Sequence, residues 1–178
     1  MHVSVITPAA FEPVTAAEAR MQLRLGELVD DANVSRLIPV ARARVEDISS
    51  LALATRAVEA RYSESEALTL PLGHVTSVTS VKYLDAAGVE QTAAPSTYRV
   101  ETGAALARVV WVTAAPVMLA SSDAIRIRYS VGYASASDIP RAMVQAVLLV
   151  LADLYEMRVP SAATISSVEA LVAPWVLS

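Results

Sequence analysis

The stretch SDIPRAMVQAVLLVLADLYEMR, from Ser137 to Arg158, constrains the chain more than any other. Asp138 stands just before Pro140, and proline is tolerated in the first turn of a helix because that amide lacks a partner anyway. On a wheel at about 100° per residue, Arg141, Gln145, Asp153 and Glu156 share one polar sector, which Leu149 and Ala152 interrupt. Met143, Val147, Leu148, Val150, Leu151, Leu154 and Met157 fill the rest. A helix with so little to show to water belongs either at the centre of a bundle or between subunits.

Two further helices are legible upstream. Thr15-Ala16-Ala17-Glu18 spells a capping box, in which the Thr15 hydroxyl takes the Glu18 amide and the Glu18 carboxylate reaches back to the Thr15 amide. Gly26 is placed to end that helix in the left-handed conformation. Asp30 and Asp31 then offer caps for a second helix, where Val34, Leu37, Ile38, Ala41, Val45 and Ile48 recur at spacings of three and four. Pro39 inside this pattern removes an amide donor, which predicts a kink or a late start near Leu37. Glu46 and Asp47 beside Arg42 and Arg44 read as an ordinary charged helix face.

After Leu53 the period changes from helical to alternating. TRAVEARY sets Ala57, Glu59 and Arg61 against Val58, Ala60 and Tyr62, and EALTLPLG follows as an extended segment. VTSVKYLDAAGVEQT reads as two strands joined at Asp85-Ala86-Ala87-Gly88, with Asp at the first turn position and Gly at the last. TYRVET, LARVVWV and AIRIRYSVGY continue the β pattern. In the last of these Ile125, Ile127, Tyr129, Val131 and Tyr133 share one face, and Arg126, Arg128 and Ser130 the other. The expected fold class is α+β: a small bundle of two N-terminal helices and one long C-terminal helix, an inserted antiparallel β lobe, and an extended C-terminal tail. The expected division is a single domain over 1–178, helical over 14–53, β over 54–133, with the long helix over 138–158 and the tail over 159–178.

Only two helices and one sheet face are then available to surround the apolar helix. Hydrophobic residues are 54% of the 178, above the average of about 45–50%, while aromatics are 5%, so the surplus is aliphatic. Monomers seldom leave such surface in water, and an oligomer is the expectation. The longest unbroken apolar run, Ala146 to Ala152, falls far short of the roughly 20 residues that cross a bilayer, so no membrane is expected. The opening MHVSVITPAAFEPV lacks the basic and apolar segments of a secretory signal, making synthesis in a cytoplasm the default. Net charge is −4 and Lys82 is the sole lysine, without the basic stripe that a nucleic-acid binder needs.

The order of segments resembles the head–tail connector (adaptor) family of tailed bacteriophages. Three stretches carry the resemblance: VTAAEARMQLRL with LIPVARARVEDIS; LPLGHVTSVTSVKYLDAAGVEQT with STYRVET; and IRIRYSVGYASASDIPRAMVQAVLLVLADLYEMR. The family's Leu-Pro-x-Gly lead is matched by Leu70 to Gly73, its Val/Ser strand by Val75 to Tyr83, and its Tyr-x-x-Gly-Tyr strand end by Tyr129 to Tyr133, followed by Ile139-Pro140. Together they span well over half of the chain. Pro39 and the close LVAPWVLS depart from the family pattern. The resemblance takes in phages, prophage remnants and gene transfer agents alike.

What the resemblance implies is a structural subunit of the virion neck, made in a bacterial host cytoplasm. It implies a ring matching a portal of twelve-fold symmetry, lengthening the DNA channel and carrying the next neck protein, the stopper. DNA would pass through such a channel without specific binding, which suits an acidic, lysine-poor chain. A closed ring needs heterologous contacts, one patch meeting a different patch on the neighbour. The expected subunit interface uses Met143, Val147, Leu151 and Leu154 with Arg126 and Arg128. The tail begins with the small, polar PSAATISS and ends in Leu171, Val172, Pro174, Trp175, Val176 and Leu177, an apolar, Trp-bearing set that suits a portal-docking peptide. Other readings are another neck component, such as the stopper or a head-completion protein, and a small ligand-binding or regulatory module using the β lobe.

Catalysis usually needs a positioned acid, base, nucleophile or metal. His2 and His74 have no metal-ligand spacing, cysteine is absent, and the five glycines form no phosphate loop. Carboxylate pairs occur only as Asp30/Asp31 and Glu64/Glu66, at cap and edge positions. No catalytic residue, metal or cofactor is expected.

Overall fold

A computed structural model describes residues 2–26, 31–63, 68–102, 106–112 and 114–176. The chain divides into two compact units, one from Met1–Pro8 and Thr55–Gly132, the other from Ala9–Ala54 and Tyr133–Leu177. The first is antiparallel β and the second helical, an α+β fold.

In the helical unit, α1 (Ala16–Leu23) starts at the capping box read from the sequence: Thr15 Oγ1 accepts the Glu18 amide at 3.2 Å and Glu18 Oε2 accepts the Thr15 amide at 2.8 Å. The Thr15 amide, and then the Thr15 hydroxyl donating to the same carboxylate at 2.8 Å, hold the Glu18 carboxyl below its ordinary range. Its end differs from the expectation. Arg24, not Gly26, takes the left-handed conformation at φ 54°, and its amide closes onto the Arg20 and Met21 carbonyls.

Helix α2 (Asp31–Ser49) runs through Pro39 as one element, so the late start near Leu37 is corrected. Proline forfeits the donor to the carbonyl four residues earlier, but the stripe Val34, Leu37, Ile38, Ala41 and Val45 is buried on both sides of it and holds the helix. The capping roles of Asp30 and the Asp31 side chain lie outside the described residues, as does Glu64/Glu66. Glu46 also departs from its reading as a surface charge. It is 4% exposed, pairs with Arg42 at 2.9 Å, and accepts the Leu53 amide at 2.8 Å. Arg42 in turn meets the partly exposed Glu12 at 2.9 Å, so one network, buried at Glu46, ties three chain segments.

The long helix α3 (Arg141–Met157) has Pro140 as its N-cap. Asp138 caps the preceding turn instead, accepting the Ser135 amide at 3.1 Å. The expected extended tail is a helix, α4 (Ala162–Val172), continued by a 3-10 turn over Ala173–Trp175. Ser161 caps α4 by accepting the Thr164 amide at 3.2 Å, and Asp153 of α3 accepts the Ser161 amide at 2.7 Å. That bond, then the Thr164 hydroxyl, lowers the Asp153 pKa. The segment PSAATISS is small and polar, but Ser161 serves as the cap and Val168 and Val172 behind it are fully buried. Helix α4 packs on α3 and α2, supplying the cover that the sequence could not account for.

The β unit holds a five-stranded antiparallel sheet ordered β1-β2-β8-β4-β5, from His2–Val5, Arg56–Tyr62, Ile125–Val131, Val75–Leu84 and Glu90–Thr92. A smaller sheet, β3-β7-β6, comes from Leu68–Thr69, Arg108–Trp111 and Tyr98–Glu101. Strand β1 was not anticipated. HVSV is short and lies 50 residues or more from its partner β2, with His2 opposite Arg61 and Val5 opposite Val58. The alternation in β8 is as read for Ile125, Ile127, Tyr129 and Val131, which are buried and joined by Val58, Ala60 and Tyr62 of β2. Tyr133, read on the same face, lies past the strand's end at Val131 and packs partly buried against the helical core instead. Burial pushes the Tyr129 hydroxyl up to about 12 and that of Tyr62 higher still. Tyr62 donates to the Thr69 carbonyl, tying the large sheet to the small one. The β4–β5 turn closes with the Gly88 amide on the Asp85 carbonyl at 2.8 Å, at φ 80° where glycine avoids a steric cost.

Candidate assembly surfaces

Met143, Val147 and Leu151 are each 0% exposed within one chain. They sit in a single core with Val34, Leu37, Ile38 and Val45 of α2 and Val168 and Val172 of α4. Zero exposure leaves no atom for a second copy to touch, so their expected role at a subunit interface is corrected: they are the core of the helical unit. Burying one such aliphatic side chain is worth about 1.5–3 kcal/mol, which explains why α3 is apolar around most of its circumference. The polar sector read on the wheel does face out, with Arg141, Gln145 and Glu156 exposed. Leu154 is the exception among the four. It is only partly buried and lines an open groove of about 610 Å³ with Asn33, Arg36, Leu37, Tyr155 and Arg158.

The proposed docking residues divide in the same way. Val172 is fully buried, and Leu171 and Trp175 pack partly buried against the helical core. Pro174 and Val176 are exposed, and Leu177 lies outside the described residues. A free docking peptide is therefore corrected for 162–175, which folds back on its own bundle because Val168 and Val172 complete the core.

On the sheet, Arg126 and Arg128 occupy the face opposite the buried row, as the alternation requires. Neither waits for a partner. Arg128 meets Glu59 at 3.0 Å, and Arg126 meets Asp123 at 2.8 Å and Glu90 at 3.0 Å. Arg61 pairs with Glu59 at 3.0 Å and Asp123 at 3.3 Å, and Lys82 with Glu90 at 2.6 Å. The Lys82 hydrogen bond, first among its causes, holds the Glu90 carboxyl below its ordinary value. Sequence reading missed Glu59, Glu90 and Asp123 as members of this face. Glu59 was visible on the polar side of TRAVEARY, but its partner lies on β8, and strand pairing across 69 residues leaves no local signal.

His2 is exposed on β1, and His74 is exposed with left-handed backbone at φ 61° where the chain enters β4. Among the described residues no three His, Cys, Asp or Glu side chains gather to hold a metal. The β unit contains a hollow of about 210 Å³ lined by Tyr83, Thr92, Trp111 and Pro116 among others. That hollow is below the roughly 300–1,000 Å³ of ordinary ligand pockets.

No protein-family model and no curated protein matches the chain. Among solved structures, the whole chain is similar to a chain of the neck of an empty gene transfer agent particle computed with C6 symmetry. The identity is 30%, the TM-score 0.82, and 96% of that chain is covered. A chain of the native particle's neck computed with C12 symmetry is 28% identical, and one of the native particle's virion 29%. Both have a TM-score of 0.80, with all of this chain and 96% of the other covered.

Proposed function

Because the chain belongs to the family of neck proteins of phage-like particles such as gene transfer agents, we propose that it is the head–tail adaptor, a structural subunit that stands as a ring on the portal. The ring carries about twelve copies, lengthens the DNA channel and presents its far side to the stopper. The observation that carries this reading is the full-length likeness to neck chains from particles computed with C6 and C12 symmetry. Two features of the chain support it. The acidic balance suits a channel that must release DNA: the β unit has seven Lys/Arg against seven Asp/Glu, whereas the helical unit has seven against eleven. Exposed apolar residues are left for neighbours in both units, among them Met21, Met157 and Val159 in the helical unit and Val5, Val112 and Val117 in the β unit.

Portal contact is assigned to Pro174 and Val176, exposed beyond α4, and Leu154 with its groove to a neighbouring protein. Mixing the purified chain with the portal ring of its own particle tests the reading. An adaptor co-sediments with the portal and then recruits the stopper. A chain that ignores the portal and binds only a preformed adaptor ring is the stopper instead.

A further inference from the structure

Cross-strand register places Arg61 opposite Arg126 and Arg126 opposite Lys82, so three cations stand abreast on β2, β8 and β4. Like charges directly opposite on neighbouring strands repel. Arg128 adds a fourth cation next along β8. Their side chains are 33–48% exposed. Three carboxylates serve them, each shared between two cations: Glu59 by Arg61 and Arg128, Asp123 by Arg61 and Arg126, Glu90 by Lys82 and Arg126. Among the described residues this face is therefore one positive charge over. Glu59 is buried, and its pairs to Arg61 and Arg128 belong to the sheet. Asp123 and Glu90 and the cations they meet are 27–42% exposed, where solvent screening leaves an ion pair little net stability, so stability of the sheet does not account for the whole row.

The complementary surface is in the same sequence. The helical unit carries the whole net charge of −4, and Asp47 on α2, Glu156 on α3 and Glu169 on α4 are exposed there. A ring needs two unlike patches that fit each other. Resting on the adaptor reading, the geometry points to a specific ring contact: the cationic face of the five-stranded sheet receives the acidic helical unit of the adjacent copy. The occupant is a second copy of this chain, chosen by charge. Duplex DNA, the other polyanion near a neck protein, is the competing outcome.

The experiment uses two full-length variants that are inverse to each other. One, Lys82→Glu with Arg128→Glu, turns the sheet face acidic. The other, Asp47→Lys with Glu156→Lys and Glu169→Lys, turns the helical unit basic. Mass photometry across 0.05 to 0.5 M salt reads self-association. The expected result is that wild type self-associates at low salt and loses at least about tenfold in association at high salt. Each variant alone fails to associate, and an equal mixture of the two restores assemblies, because helical-acidic meets sheet-basic at one junction and the swapped pair meets at the next. The neutral pair Lys82→Gln with Arg128→Gln, which avoids placing new carboxylates beside Glu59, weakens wild-type association about tenfold if the contact is right. Its circular dichroism confirms an intact sheet. A wild type that stays monomeric at low salt, assemblies indifferent to salt and to all three variants, or a mixture that does not assemble overturns the contact. So does a fluorescent duplex whose binding, rather than self-association, tracks the variants. Rings that form regardless of these charges leave the adaptor reading standing and remove only this contact.

Discussion

Replacing Leu151 by Ala asks whether the apolar helix is a private core or a shared one. Leu151 is 0% exposed and packs in the cluster that joins α2, α3 and α4. The substitution deletes three carbons, about 2.4 kcal/mol at roughly 0.8 kcal/mol per buried carbon. The cavity left behind adds to this, giving about 3–4 kcal/mol, within the range of about 2–5 for buried Leu→Ala changes. The helical unit, Ala9–Ala54 with Tyr133–Leu177, has 91 residues, a size at which each kcal/mol moves the melting midpoint by about 4–8 °C, so a drop of about 12–32 °C in its transition is expected. The two tryptophans separate the units: Trp175 lies on the helical core and Trp111 in strand β7. Thermal melts followed by circular dichroism at 222 nm and by fluorescence at several protein concentrations give the readout. The midpoint of the helical transition falls by the same amount at every concentration, because the lost contacts are within one chain. A loss under about 1 kcal/mol, or a midpoint shift that grows on dilution as it does for subunit contacts, refutes the private core.

Glu46→Ala removes the carboxylate that holds Arg42 and the Leu53 amide, and costs about 3 kcal/mol because a buried donor and a buried cation lose a partner; urea titration checks it, and a cost near zero contradicts the network. Asp153→Asn tests the α3–α4 clasp through pH. The native carboxyl is held below its ordinary pKa, so its stabilisation is present above the unfolded value of about 3.9 and is lost as the pH falls through the lower native value. The variant is less stable than wild type at neutral pH, and the gap closes below about pH 4 in melts run as a pH series. Deleting residues 174–178 takes Trp175 off the helical core and lowers the helical melting midpoint, whereas a tail that served docking alone leaves the midpoint unchanged.

Elements set by local chemistry were readable. The Thr15/Glu18 box, the α2 stripe, the Asp85–Gly88 turn and the β8 alternation each depend on residues within about one turn or one pleat, and all appear where the spacing put them. The failures share a cause as well. Helix α4 is composed of small residues with weak periodicity, and it forms because α3 offers an uncovered face, which is tertiary information. Strand β1 is four residues long and is defined by β2, more than fifty residues away. The candidate assembly surface split along the same line. Which face Arg126 and Arg128 occupy followed from period two, while their partners Glu59 and Glu90 come from other strands. Reading Met143, Val147 and Leu151 as interface residues followed from counting too few helices, and once α4 is counted the surplus apolar area on α3 disappears into the chain's own core.

Electron cryo-microscopy of purified particles that carry this chain tests the adaptor assignment most directly. The expected map shows this fold repeated about twelve times as a closed ring directly beneath the portal, with the DNA channel through its centre. Particles whose portal-proximal ring is built of another chain, or whose necks lack this fold, contradict it.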